Sequence, residues 1–171
     1  MSHQQPDGGR YGAFADAARE YGVDPRRVSL EELPGAIEEA VVTPAVGTPL
    51  PWDGASLPKR VTTNPTPADL ESAATGVTAA SLAVASYGSV VLRADEHGSE
   101  PVSLFTDRHV AVLHEDDIAP DMEAAFEWFG ETFRETRDSA IVATGPSATA
   151  DMGSLVQGAH GPEEVEVLVV S

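Results

Sequence analysis

AIVATGPSATADMGSLVQGAHGPEEVEVLVVS, residues 140–171, is the stretch from which the fold of this chain is read. Ala140-Ile-Val-Ala-Thr144 is a short apolar, partly β-branched run of the kind that forms a buried strand. Gly145-Pro146-Ser147 breaks it, and Ser147 or Thr149 is placed to cap a following helix, which Gly153 weakens and Gly158 stops. His160-Gly161-Pro162 then turns the chain into a second apolar run, Val165–Val170. Strand, short helix and strand predict a βαβ unit with parallel strands. The Gly145 turn would then lie at a strand's carboxyl end, where open α/β sheets usually bind ligands.

Working outward, Pro120-Asp121 opens the clearest helix. Met122, Ala125, Phe126, Phe129 and Phe133 recur at helical spacing as one apolar face, with Trp128 either a flank contact or an exposed interface aromatic. His109–His114 reads as a strand, as do Leu82–Ala85 and Ser89–Leu92 around Tyr87-Gly88. The glycine there suggests a turn, bulge or close backbone approach. Thr75–Ala80 reads as the opening of a short helix. Tyr11–Tyr21 predicts a helix with Phe14, Ala17, Ala18 and Tyr21 on one face, and Ser29 caps another with a Leu30, Leu33, Ile37, Val41 stripe. Strands alternating with helices make this α/β, an open, mostly parallel sheet with flanking helices. The expected organisation is one compact domain: an amino-terminal helical segment (1–42), a proline-rich irregular connection (43–74) and an α/β core (75–171). In the connection, Trp52 either anchors a surface excursion on the core or belongs to a partner-binding segment.

Composition narrows the function. The 171 residues carry 28 acidic against 10 basic side chains, a formal charge of −18, and Lys59 is the lone lysine. Acid excess with almost no lysine matches adaptation to molar salt. It argues against nucleic acid or anionic membrane as a partner. With no cysteine, the chain forms no disulfide and supplies no thiolate to zinc or an iron–sulfur cluster. Neither a signal peptide nor a membrane span is read, so a cytoplasmic location is expected.

Chemistry-bearing patterns are sparse. His109 and His114, five apart on a strand, point to opposite faces and cannot share one ion, and no metal site is expected. Ser147, Asp151 and His160 share one stretch, but Gly145-Pro146-Ser147 is not a nucleophile elbow. His160 is either a turn histidine or a base or ligand contact. Small polar turns at Thr75–Thr78, Tyr87–Ser89 and Gly145–Ser147 offer hydroxyl and backbone donors suited to a carboxylate or phosphate.

At these turns the chain resembles a known family. Thr75-Gly-Val-Thr-Ala79, Tyr87-Gly-Ser-Val-Val-Leu92, Ser103-Leu-Phe105, Gly145-Pro-Ser-Ala-Thr-Ala-Asp151 and Gly158-Ala-His-Gly-Pro162 are similar, in order and spacing, to the LUD domain of the lactate-utilisation protein C family. Departures from that pattern fall at Ser86–Ser89, Ala148 and Gly153. The resemblance implies a fold like the sugar-phosphate isomerase and CoA-transferase superfold. It also implies a role in oxidising lactate to pyruvate, in which partner proteins with iron–sulfur clusters do the redox work and this chain needs no cofactor. The ligand expected is a small carboxylate at Gly145, Pro146, Ser147 and Thr149, faced by Thr78, Gly88, Ser89 and His160. A second reading is a stand-alone isomerase- or transferase-like enzyme on a phosphorylated or CoA-linked metabolite. Asp151 or His160 would be its base, and Arg93 or Arg108 its cation. A third is recruitment to regulation or an unrelated pathway.

Overall fold

The computed structural model describes residues 8–136, 138–146, 148–151, 154–157 and 161–171, with the backbone alone at 8, 136, 148–151 and 154–157. The first half comprises α1 (Gly8–Arg19), β1 (Arg26–Val28), α2 (Leu33–Ala40), β2 (Ala45–Gly47), β3 (Val61–Thr63), α3 (Pro67–Ser72), β4 (Thr75–Ala79) and β5 (Leu82–Val84). There follow β6 (Ser89–Arg93), α4 (Ser99–Leu104), β7 (Arg108–His114), β8 (Ile118–Ala119), α5 (Met122–Thr136), β9 (Ala140–Ala143), β10 (Ala148–Asp151), β11 (Ser154–Gln157) and β12 (Glu164–Val170).

The main sheet has six strands in the order β1-β12-β7-β4-β2-β3, every neighbouring pair parallel. Its long strands are Val- and Leu-rich because both faces are covered. Val77, Val110, Val112 and Leu168 pack on one face against Leu33, Ile37 and Val41 of the α2 region. Ala111, Leu113, Val167 and Val169 pack on the other against Phe14 and Ala18 of α1 and against Ala83, Val90 and Leu92. The last three belong to a smaller sheet, β8-β5-β6-β9. Its outer face, with Leu82, Val84 and Val91, is covered by α5. The layers therefore run α2, main sheet, small sheet with α1 and α4, then α5.

Local signals explain the helix starts. Ser29 and Glu32 form a reciprocal pair before α2: Glu32 N–H donates to Ser29 Oγ at 3.2 Å and Ser29 N–H to Glu32 Oε2 at 2.9 Å. Thr66 and Asp69 do the same for α3. Asp121 Oδ1 accepts from the Ala124 N–H at 2.9 Å at the start of α5. Arg108 ties elements together, its Nε donating to the Ala40 carbonyl at 2.6 Å while its guanidinium pairs with Glu164 and Glu166.

Several expectations need correction. Thr75–Ala79 is a central strand, not a helix opening, paired to β2 and β7. Gly76 permits the packing that holds it there: a Cβ would lie 2.3 Å from the Val102 carbonyl oxygen, so α4 packs directly on the strand backbone. The run at 140–143 does not pair with β12. It is β9, antiparallel to β6 in the small sheet, so no βαβ unit forms there. The helix expected after Ser147 is replaced by an antiparallel hairpin of β10 and β11, and Ser147 itself lies outside the described residues. On α5, Phe126 is 66% exposed while Trp128 packs inward with Phe129, Met122 and Ala124. Tyr21, expected on the buried face of α1, is exposed. The proline-rich connection contributes β2 and β3, and Trp52 packs on the α2-side core as the anchor reading expects.

Candidate functional site

A cleft of about 330 Å³ opens between the two sheets. Its floor is His109 of β7 with Val165 and Val167 of β12, and its roof is Val90, Leu92, Ile141 and Ala143 of β6 and β9. Ser103 and Leu104 close one side, and the turns Thr144-Gly145-Pro146 and Gly161-Pro162 form the rim with Gly88 and Val23. His109, second residue of β7, lies towards the amino ends of the main-sheet strands. The cleft therefore does not sit at their carboxyl ends, where the general rule for open sheets would put it.

Strand periodicity places His109 beside Ala111 and Leu113, facing the small sheet, while His114 faces Trp52 at 6.2 Å between ring centroids. His109 is 2% exposed, and its Nε2 lies 2.7 Å from Thr78 Oγ1. Burial pushes the imidazole down to about 4, so at neutral pH it hydrogen-bonds without carrying charge. Above it, Ser89 Oγ and Thr144 Oγ1 are 2.6 Å apart, clasping the start of β6 to the end of β9. Ser103 Oγ donates to the Glu100 carbonyl at 2.7 Å.

Two glycines shape the rim. Gly88 has φ +64°, and a Cβ would meet the Ala18 backbone nitrogen at 2.4 Å. Gly145 has φ +67°, and a Cβ would meet Tyr21 Cβ at 2.7 Å. Both conformations and both approaches suit only glycine. Each turn is thereby set against α1 or the residues just beyond it.

Of the residues expected at a site, Gly88, Gly145 and Pro146 line the cleft, and Thr78 and Ser89 stand one hydrogen bond behind its lining. Thr149 and Asp151 are on the β10 backbone, while Ser147 and His160 lie outside the described residues. Arg93 pairs with Asp138 at 2.8 Å, and Arg108 is held by Glu164 and Glu166. Neither lines the cleft, whose described lining contains no Arg, Lys, Asp or Glu. His109, Ser103 and Thr144 are cleft residues that the sequence reading did not assign to a site. The available signal was the alternation that buries His109 among apolar neighbours, which makes a polar partner necessary. Chemically, the cleft offers apolar walls, hydroxyls, turn backbone and a neutral imidazole, which suits a small molecule with a hydrogen-bonding head.

Comparisons with known proteins agree with this architecture. The LUD domain model matches residues 55–170. Lactate utilization protein C of Deinococcus radiodurans is 34% identical over 167 residues, covering 92% of this chain and 77% of that protein. The Bacillus velezensis protein of the same name is 34% identical over 105 residues, 59% of this chain and 44% of its own length. That of Bacillus subtilis is 30% identical over 133 residues, 75% of this chain and 53% of its own. The chain thus spans only about half of the Bacillus relatives it matches. The crystal structure of a duf162 family protein from Deinococcus radiodurans superposes with a TM-score of 0.75 over 98% of this chain and 99% of that one, at 24% identity, showing the same fold. Among the described residues, no helix is long and apolar enough to cross a membrane. With a family match over residues 55–170, the greater part of both sheets, the chain belongs to the LUD domain family.

Proposed function

We propose that this chain is a non-redox component of a system that oxidises lactate to pyruvate, binding partner proteins that carry the iron–sulfur clusters. The observation that carries the reading is the 34% identity to a lactate utilization protein C across 92% of the chain. The absence of cysteine supports the non-redox part, because the chain supplies no thiolate to a cluster. The cleft gives this component a place for a small carboxylate. Gly88, Gly145, Pro146 and Thr144 form its rim and His109 its floor. Ser147, Thr149 and His160 complete the proposed ligand set, with Thr78 and Ser89 holding His109 and Thr144 in place from behind the lining. Held this way, a carboxylate is bound by hydroxyl and backbone donors rather than by a cation. The rival enzyme reading needs a carboxylate base and a cationic clamp in one cleft, and the described lining contains neither.

The test is a tagged pull-down from the native host grown on lactate, lysed at its own salt and read by mass spectrometry. Recovery of iron–sulfur oxidoreductase subunits is expected. Recovery of the chain alone would overturn the reading. For the cleft, L-lactate and pyruvate titrated against labelled protein should shift the His109 ring resonances, and no shift at millimolar ligand would remove the carboxylate from the proposal.

A further inference from the structure

The outer flank of α5 sets an aromatic ridge beside a row of glutamates. Phe126 stands 66% exposed in the middle of the helix, its ring 6.2 Å from that of Phe129, which stacks on Phe133 at 5.4 Å. The three rings make a ridge along one side of the helix, half sunk at Phe129 and Phe133 and bare at Phe126. Beside it, Glu123, Glu127 and Glu131 follow one another at intervals of one turn. All three are exposed, and none takes part in an ion pair among the described residues. Like charges at that spacing destabilise an isolated helix, and a bare phenylalanine gains little from its own chain. Both features find compensation in the same contact.

We infer that this face of α5 docks a different protein, one presenting an apolar pocket edged by lysine or arginine. Charge selects that occupant. A second copy brought face to face by a two-fold axis would set one glutamate row against another, on a chain that already carries −18. A basic rim neutralises the row while the pocket takes Phe126, the aromatic-anchor arrangement of interface hot spots. The inference rests on the proposed role in an assembly and gives that assembly a contact surface.

Gly130 supplies the probe position, because a Cβ there meets nothing within 4 Å and the site adjoins Phe126 and Phe133. A photo-crosslinking residue is placed at 130 in the full chain, in native host cells grown on lactate, with a control at the exposed Glu38 of α2. The expected result is a cross-link from 130 to a segment of another protein where basic residues flank apolar ones. Phe126→Asp should cut its yield about thirtyfold, as for a central aromatic anchor. The triple change Glu123→Lys, Glu127→Lys, Glu131→Lys should cut it about tenfold, and added salt should weaken the unsubstituted contact. Melting curves check that both variants stay folded. Cross-links only to a second copy, no cross-link from 130, or a yield unmoved by both variants would overturn the inference. If the protein captured through 130 holds no iron–sulfur cluster, the lactate reading fails while the surface stands. If a cluster protein is captured from 38 and not from 130, the reverse holds.

Discussion

The two sheets of this molecule are made from similar apolar runs and are used differently. The main sheet is covered on both faces, so β7 buries every side chain from His109 to Leu113 and β12 every one from Val167 to Val170. The small sheet is covered outside by α5 only in part, and its edge strand β9 leaves Val142 44% exposed. One sheet is a closed core. The other is a wall between a cleft on its inner side and an open aromatic flank beyond its outer side. Stability should therefore be concentrated in the first and recognition around the second.

The largest effect that could break this contrast is expected at Gly76. Gly76→Ala drives a methyl into the Val102 carbonyl and the Thr106 hydroxyl, at 2.3 and 2.8 Å. Unfolding in denaturant should show a loss of about 3 kcal/mol, the upper range for overpacking. A loss near zero would mean that α4 shifts freely, and the closed-core description would fail.

The next effect is on pH. The His109 imidazole is held at about 4 against an ordinary 6.5, so the unfolded chain binds the proton more readily than the folded one. The associated stability is fully present above pH 6.5 and is lost as pH falls from there towards 4, on the order of 3 kcal/mol in all. His109→Leu should flatten that slope in melts taken across the window. An unchanged slope would show that carboxylates alone set the acid response.

Thr78→Val removes the hydroxyl 2.7 Å from that ring and leaves a buried nitrogen unpaired, with an expected cost of about 2 kcal/mol. The smallest effect has the opposite sign. Gly130→Ala, in open space on α5, should stabilise the chain by about 0.5–1 kcal/mol through helix propensity. The same substitution at Gly76 and Gly130 thus reads the inner and outer regions with one chemical change, and two results of equal sign would dissolve the comparison.

What the sequence makes legible follows the strength of its patterns. The α2 stripe, the β7 and β12 strand runs and the glycine turns at 88 and 145 are strong local signals, and the structure has helix, strands and turns there. Thr75–Ala79 was not legible as a strand, because Thr, Gly and Ala leave local preference weak and the decision is made by β2, β7 and α4, all distant in sequence. The partner of β9 was hidden for a related reason: AIVA suits a buried parallel strand and an antiparallel edge equally. Phe126 leaves the buried face and Trp128 takes the flank-contact alternative because the helix rests on the sheet along a slightly different line from the one its spacing suggests. At the site, the rim glycines could be found locally, whereas the pairing of His109 with Thr78 exists only once two strands lie side by side.

The pairing of β1 also has a consequence for the order of assembly. β1 meets the sheet only through β12, so Arg26–Val28 find their partners at Leu168–Val170, nearly the whole chain away. On a ribosome those early residues wait on the order of 10 s for the strand that receives them. Phe14, Leu33 and Ile37, which end fully buried, spend that interval without their final cover. Until β12 arrives the newborn chain shows that apolar surface, and a strongly negative sequence is a physical means of keeping neighbouring nascent copies apart.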